Sequence, residues 1–329
     1  MQPSASFSHY ADVRRLVLFI LGVLLAGALL SVPLYWGAQA LMRAAQVTPE
    51  NATTWPMSEI AKASFDRFFN RAVLISALAG LPLMIRASRR RAGETGPALL
   101  PPLRPRGPDL RLAITGFLLA GGLLLLLGWI YLRTGVYQMN AKPGWSALGQ
   151  PLTAAFGAGI VEEILFRGFI LGLLLRSLRP LPALLWTTFI YDIVHFLKPP
   201  EGFELPASEV TWHSGFDVIA AIGGHFGDLN FILAEFFTLF AVGWVVGRAR
   251  LRTGSLWPGI GLHAGWVFGL KYYSVLTHSS KALRHGDWLP WIGEGLKEGL
   301  VPFVVVLFTG WIASLTWPCD RSDATAPSA

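Results

Sequence analysis

Three charged side chains interrupt the apolar segment from Leu152 to Leu178, in the run Glu162-Glu163-Ile164-Leu165-Phe166-Arg167. The segment is long enough to cross a bilayer, for which a helix needs about 20 residues. A charge at the centre of such a helix costs about 2.5–3.5 kcal/mol on insertion scales. Whatever this chain folds into has to compensate these charges or use them. Helical neighbours differ by about 100° around the axis, so Glu162 and Glu163 face different surroundings. Glu163 and Arg167 are four residues apart with Glu first, the favourable order for an ion pair along one helix face. Pairing neutralises two of the three charges and leaves Glu162 aimed elsewhere in the bundle. An intramembrane carboxylate so placed is a functional-site candidate, suited to general base or acid work.

Composition agrees with a membrane setting. Of 329 residues, 53% are hydrophobic and 14% charged, and the mean hydropathy is +0.49. These values describe a polytopic membrane protein rather than a soluble enzyme. The net charge of +7 does not point to nucleic acid, because the arginines cluster beside apolar segments, where topology accounts for them. The single cysteine, Cys319, allows no internal disulfide and excludes a cysteine-protease reading.

The expected fold class is all-α: a polytopic membrane helix bundle of about eight transmembrane helices. The spans lie near residues 16–37, 71–87, 110–132, 152–178, 181–198, 230–247, 255–277 and 298–317. The first reads as an anchor rather than a cleaved signal. If the spans alternate, the basic groups fall on one side: Arg14 and Arg15, the Pro-rich loop holding Arg86, Arg89, Arg90, Arg91, Arg104, Arg106 and Arg111, then Arg176 and Arg179, then Arg248, Arg250 and Arg252, then Arg321. Both termini are then cytoplasmic. The segment 199–229 carries Glu201, Glu204, Glu209, Asp217 and Asp228 without Lys or Arg. It reads as an acidic outer loop, a solvated connector. Three regions follow: 1–150, the N-terminal transmembrane helices with the basic loop; 151–275, a catalytic helix core with that acidic loop; and 276–329, the last transmembrane helix with a polar tail.

Two histidines sit in other apolar segments: His195 closes Thr187-Thr188-Phe189-Ile190-Tyr191-Asp192-Ile193-Val194-His195, and His263 lies in Gly259-Ile260-Gly261-Leu262-His263-Ala264-Gly265-Trp266. Intramembrane ionisable groups face the bundle interior or a wet cavity. One carboxylate and two histidines from three helices could position a water or bind a metal. Asp192 lies on a different face from His195. It is an acceptor behind the histidine or a charge turned to a wet cavity, and the second reading is preferred. His213 with Asp217 and His225 with Asp228 are weaker pairs in the outer loop. There is no HExxH zinc motif and no Gly-x-Ser-x-Gly elbow. Trp36, Trp129, Tyr131, Trp186 and Trp317 read as interfacial belts.

Glu-Glu-x-x-x-Arg in a membrane helix, then aromatic-x-x-x-His, then His-Ala in a later helix, resembles the CPBP family over roughly residues 150–275. That family includes CAAX prenyl endopeptidases and bacteriocin-processing or Abi proteins. The resemblance implies that Glu162 activates the attacking water, aided by His195, and that His263 stabilises the oxyanion. It makes Glu163 and Arg167 a structural pair. Tyr191 stands where the family usually has Phe. Val267 stands where the pattern His-x-x-x-Asn (or Asp) has a polar donor, and Trp266 offers an indole N–H one residue away.

The expected activity is that of an intramembrane endopeptidase in a bacterial inner membrane, acting on a membrane-anchored protein or peptide precursor, with the lipid bilayer and no nucleic acid as its other partner. Glu162 lies about ten residues into its span, roughly 15 Å deep, so water enters by a cavity, expected to open on the outer side. Glu162, His195 and His263 could make a three-ligand zinc site or run a metal-free glutamic mechanism. The reading favours no cofactor, because no ligand pair lies four apart on one helix. Two alternatives stand beside it: an inactive immunity or scaffold protein, which Val267 favours, and a proton- or ion-coupled transporter.

Overall fold

The computed structural model describes residues 6–48, 50–54, 57–92, 100–140, 148–197, 203, 205–225, 229–280, 289–293 and 295–317. The helices in chain order are α1 (Ser6–Ala44), α2 (Met57–Ala61), α3 (Phe65–Ala92), α4 (Gly107–Arg133), α5 (Gly149–Glu163), a π-helical turn (Ile164–Ile170), α6 (Leu171–Leu174), α7 (Pro180–Phe196), α8 (Ser214–His225), α9 (Leu229–Thr253), α10 (Trp257–Leu276), α11 (Leu289–Ile292) and α12 (Leu300–Thr316). Each sequence-predicted span coincides with a helix. Among the described residues three helices are long and apolar enough to cross a membrane: Arg14–Ala44, Phe65–Ala87 and Gly107–Arg133. Three of the others fall short for reasons of charge, interruption or length. The fourth span carries the charges and is divided by the π turn. Helices α7 and α12 have 17 residues each, about 26 Å at 1.5 Å per residue, against a hydrocarbon core of about 30 Å.

The chain forms two compact units. The first comprises residues 1–96 and 194–229. Its core joins Ala28, Val32 and Tyr35 of α1, Phe65, Phe68 and Phe69 of α3, and Val218 and Ile222 of α8. Tyr35 meets the rings of Phe65 and Phe68 edge-on, at 5.6 and 5.3 Å between centroids, the arrangement aromatic quadrupoles prefer. Here the expectation of a solvated connector over 199–229 is corrected. Val218 and Ile222, four apart, face the core from α8, while Asp217 stays exposed. His213 Nδ1 and Asp217 Oδ2 are paired 2.8 Å apart on the wet side. The acidic count concealed a helical apolar stripe. Glu201, Glu204 and Asp228 lie outside the described residues, as do Cys319 and Arg321.

The second unit comprises residues 97–193 and 230–329. Helix α10 packs against α4 through glycines. A Cβ built on Gly261 would lie 2.1 Å from Ala113 O, and one on Gly265 2.5 Å from Phe117 O. Small residues let membrane helices approach until backbone meets backbone, which supplies the packing that apolar lipid cannot drive. Helix α5 approaches the other side of α10 in the same way, with Gly159 against Ala264. The all-α expectation needs one amendment: β1 (Tyr137–Met139) pairs antiparallel with β2 (Thr277–Ser279), Tyr137 opposite Ser279. This short clasp follows α4 and α10 directly, and Tyr273 Oη donates to Gly128 O at 3.1 Å beside it. Trp36, Trp129 and Trp186 are exposed, as a lipid-facing belt requires. Tyr131 and Trp317 are buried instead, drawn into helix packing.

Gly261→Ala is expected to lower the unfolding temperature of the detergent-solubilised protein, through an overpacking cost of about 1–3 kcal/mol or more. Gly22→Ala, where nothing lies within 4 Å of the added carbon, is expected to leave it unchanged in the same thermal scan.

Candidate active site

The charged run sits where α5 passes into the π turn. Glu163 is the last residue of α5, and Arg167 is central to Ile164–Ile170. A π turn widens the backbone and re-aims side chains, and such turns are frequent at functional sites. The expected pair forms: Arg167 Nη1 donates to Glu163 Oε1 at 3.0 Å, with both side chains out of solvent. The same oxygen has a second partner. His263 Nδ1 lies 2.9 Å from it. A carboxylate only accepts, so Nδ1 carries the proton and donates. Glu163 thus holds the imidazole of α10 by one nitrogen and leaves Nε2 turned toward Glu162, whose Oε2 is 3.7 Å away. That gap is too long for a direct hydrogen bond, and an oxygen seated beside both groups could bridge them. The two adjacent glutamates separate as helix geometry dictates. The Glu163 side chain is 1% exposed and the Glu162 side chain 29%, although the Glu162 Oε2 that faces His263 is itself buried.

Arg167 is stabilised from a second direction. Its guanidinium carbon stands 4.2 Å from the centroid of the Tyr191 ring and 5.8 Å from that of Phe166. The Phe166 and Tyr191 rings are themselves T-shaped at 5.1 Å. Arg167 Nε and Nη2 have no hydrogen-bond partner among the described residues. A desolvated cation over an aromatic face gains about 2 kcal/mol, which offsets part of that loss. Tyr191 also meets the His263 ring edge-on at 6.2 Å. The aromatic position of the second motif is therefore a wall of the cluster.

Two glycines missed by sequence reasoning shape this cluster. A Cβ on Gly259 would lie 3.0 Å from Glu163 Oε2, and one on Gly243 would lie 3.2 Å from Tyr191 Cδ1 and 3.4 Å from Arg167 Nη2. The legible signal was the position of Gly259, one turn before His263 on the same face. Trp266 is buried on α10, and its Nε1 has no hydrogen-bond partner among the described residues. Val267 is half-buried. Asp192 is fully buried, which corrects the preference for a charge turned to a wet cavity. His195 is half-buried in the last turn of α7 and belongs to the first unit. The structure therefore brings together Glu162, Glu163, Arg167, Tyr191 and His263, and leaves the role of His195 to the resemblance.

Zinc in a structural or catalytic site takes at least three protein ligands. Among the described residues no group of three or more His, Cys, Asp and Glu side chains is arranged to hold a metal ion. Both ring nitrogens of His263 already face carboxylates.

Apolar helices that enclose a paired glutamate, arginine and histidine define an integral membrane protein with an intramembrane polar site. Residues 144–269 match the family model described as type II CAAX prenyl endopeptidase Rce1-like. The match covers a little over a third of the chain and spans α5, α7 and most of α10. No curated protein and no solved structure matches the chain.

Glu163→Gln would leave the Arg167 cation buried without its counter-charge, and breaking one side of a buried pair costs about 3–5 kcal/mol. Its unfolding temperature is expected to fall well below that of Glu162→Gln, whose side chain is part-exposed. Thermal unfolding of both variants in the same detergent checks the order.

Proposed function

We propose that the protein is an intramembrane endopeptidase that hydrolyses a peptide bond of a membrane-anchored protein or peptide precursor. The observation that carries this reading is the division of labour between the two glutamates. Glu163 is buried and spent on holding Arg167 and His263, while Glu162 is part-exposed and faces the other nitrogen of the same imidazole. Glu162 takes a proton from a water seated beside His263, and the water oxygen attacks the scissile carbonyl. His263 donates from Nε2 to the oxyanion, and as the peptide C–N bond breaks the proton held by Glu162 passes to the leaving amine. His195 joins the water-binding group on the strength of the family resemblance. The substrate class follows the family: a peptide bond near the end of a membrane-associated chain.

Val267 removes the polar donor that the resemblance implies one turn beyond His263. Trp266, buried on the same helix with an uncommitted N–H, supports its replacement by an indole donor. In this reading the water is activated by the carboxylate without a metal, because no ligand pair lies four apart on one helix. Eight membrane-crossing helices and cytoplasmic termini remain the topology we propose, on the one-sided distribution of arginines.

Glu162→Gln is nearly isosteric and removes the base. In cells carrying this variant, defined cleavage products among membrane-protein termini are expected to vanish while the protein stays folded and abundant, as read by mass spectrometry of N- and C-termini. Unchanged termini would return the chain to the inactive-scaffold reading. With a substrate so identified, Trp266→Phe is expected to lower kcat by about 10²-fold with KM little changed, the scale for loss of one oxyanion donor. Steady-state kinetics against wild type checks it.

A further inference from the structure

Arg248 and Arg252 are charges that the candidate active site leaves unused. They lie one turn apart on α9 and share a face with Trp244 and Leu251. Across from them stand Pro180, Leu181 and Leu184 of the first turns of α7, and these seven residues line a groove of about 410 Å³. Its origin is local. Leu184 is buried against Gly247, where a Cβ would lie 2.3 Å from Leu184 Cδ1, so α7 and α9 are pinned at that contact beside the groove. Leu181, by contrast, is 57% exposed on the lip.

The charges in this groove lack a balance. Among the described residues neither Arg248 nor Arg252 has a carboxylate partner. Arg252 Nε is buried and has no hydrogen-bond partner there. The Arg248 guanidinium leans over the Trp244 ring at 5.8 Å. Two cations at one end of an apolar trough are satisfied together by an amphiphile with an anionic head and a hydrocarbon tail. A neutral lipid would leave the arginines unbalanced, and a free phosphate would leave Leu181, Leu184 and Trp244 uncovered. Basic pockets between membrane helices recognise lipid phosphates in this way, and arginine's planar fork matches phosphate oxygens.

We propose that this groove binds one anionic phospholipid, with its phosphate on Arg248 and Arg252 and an acyl chain along Leu181, Leu184, Trp244 and Leu251. The opposite face of α9 carries Gly243 and Val246, which back Tyr191 and Gly259 in the charged cluster. A lipid seated in the groove therefore braces the helix that supports the site. The binding itself does not depend on the proteolytic reading.

The test titrates the full-length protein, in neutral detergent, with phosphatidylglycerol and with phosphatidylcholine of the same acyl chains, reading bound lipid by native mass spectrometry. Wild type is expected to hold phosphatidylglycerol at least about tenfold more tightly, from two arginines each contributing an attraction of about that of a basic residue at an anionic surface. The pair Arg248→Gln and Arg252→Gln is expected to bring it down to the phosphatidylcholine level. The exposed pair Arg104→Gln and Arg111→Gln is expected to keep the preference. Leu181→Ser, on the exposed lip, tests the apolar wall without adding a charge beside the arginines, and is expected to weaken phosphatidylglycerol binding whether or not the double variant folds. Glycerol 3-phosphate is expected not to displace the lipid; displacement would mean that the phosphate alone is the ligand and would overturn the lipid assignment. Equal binding of the two lipids by wild type, or an undiminished preference in a folded Arg248→Gln, Arg252→Gln variant, would also overturn it.

Discussion

One carboxylate oxygen, Glu163 Oε1, accepts from Arg167 at 3.0 Å and from His263 at 2.9 Å. The rest of the site depends on this shared acceptor. It places a negative charge between two groups that would each be costly alone in an apolar setting. It also joins the π turn to α10, so a local feature of one helix fixes the ring of another. Once Nδ1 is committed, Nε2 has one direction left, toward Glu162. The part-exposed glutamate is thereby distinguished from its neighbour by geometry and not by residue type.

The fold around this acceptor is arranged for close approach. Gly261 and Gly265 let α10 lie against α4, Gly259 lets it close on Glu163, and Gly243 brings α9 to Arg167 and Tyr191. In a bilayer such contacts replace the hydrophobic effect as the source of helix association. The aromatic wall of Phe166 and Tyr191 completes the enclosure, giving the arginine a π face where no further oxygen is supplied. The groove between α7 and α9 is the counterpart on the basic end of the unit, where Arg248 and Arg252 have no carboxylate partner among the described residues.

Much of this was legible in the chain. The Glu163–Arg167 pair followed from four-residue spacing, and the helices followed from apolar runs. The family resemblance followed from three short motifs, and a family model matches residues 144–269. Other features were not legible. Helix α8 was hidden because acidic residues on its wet face masked the spacing of Val218 and Ile222. The β1–β2 clasp joins segments about 140 positions apart, and three-residue strands carry too little periodicity to be read. Tyr131 and Trp317 looked like belt residues because composition does not tell a lipid-facing aromatic from a packed one. The burial of Asp192 was likewise a matter of neighbours.

The sequence by itself determined that three charges lie in an apolar helix, that two of them can pair, and that histidines in other apolar segments are available to join them. These are properties of spacing along one backbone, and helical geometry alone converts them into faces. Only the tertiary structure decided that His263 takes the second place on Glu163, and that Glu162 is the carboxylate left part-exposed. Those outcomes depend on the approach of α10 to α5, which is set by glycines whose partners lie about 100 residues away in the chain. No local pattern encodes that distance, because it arises when two backbones meet.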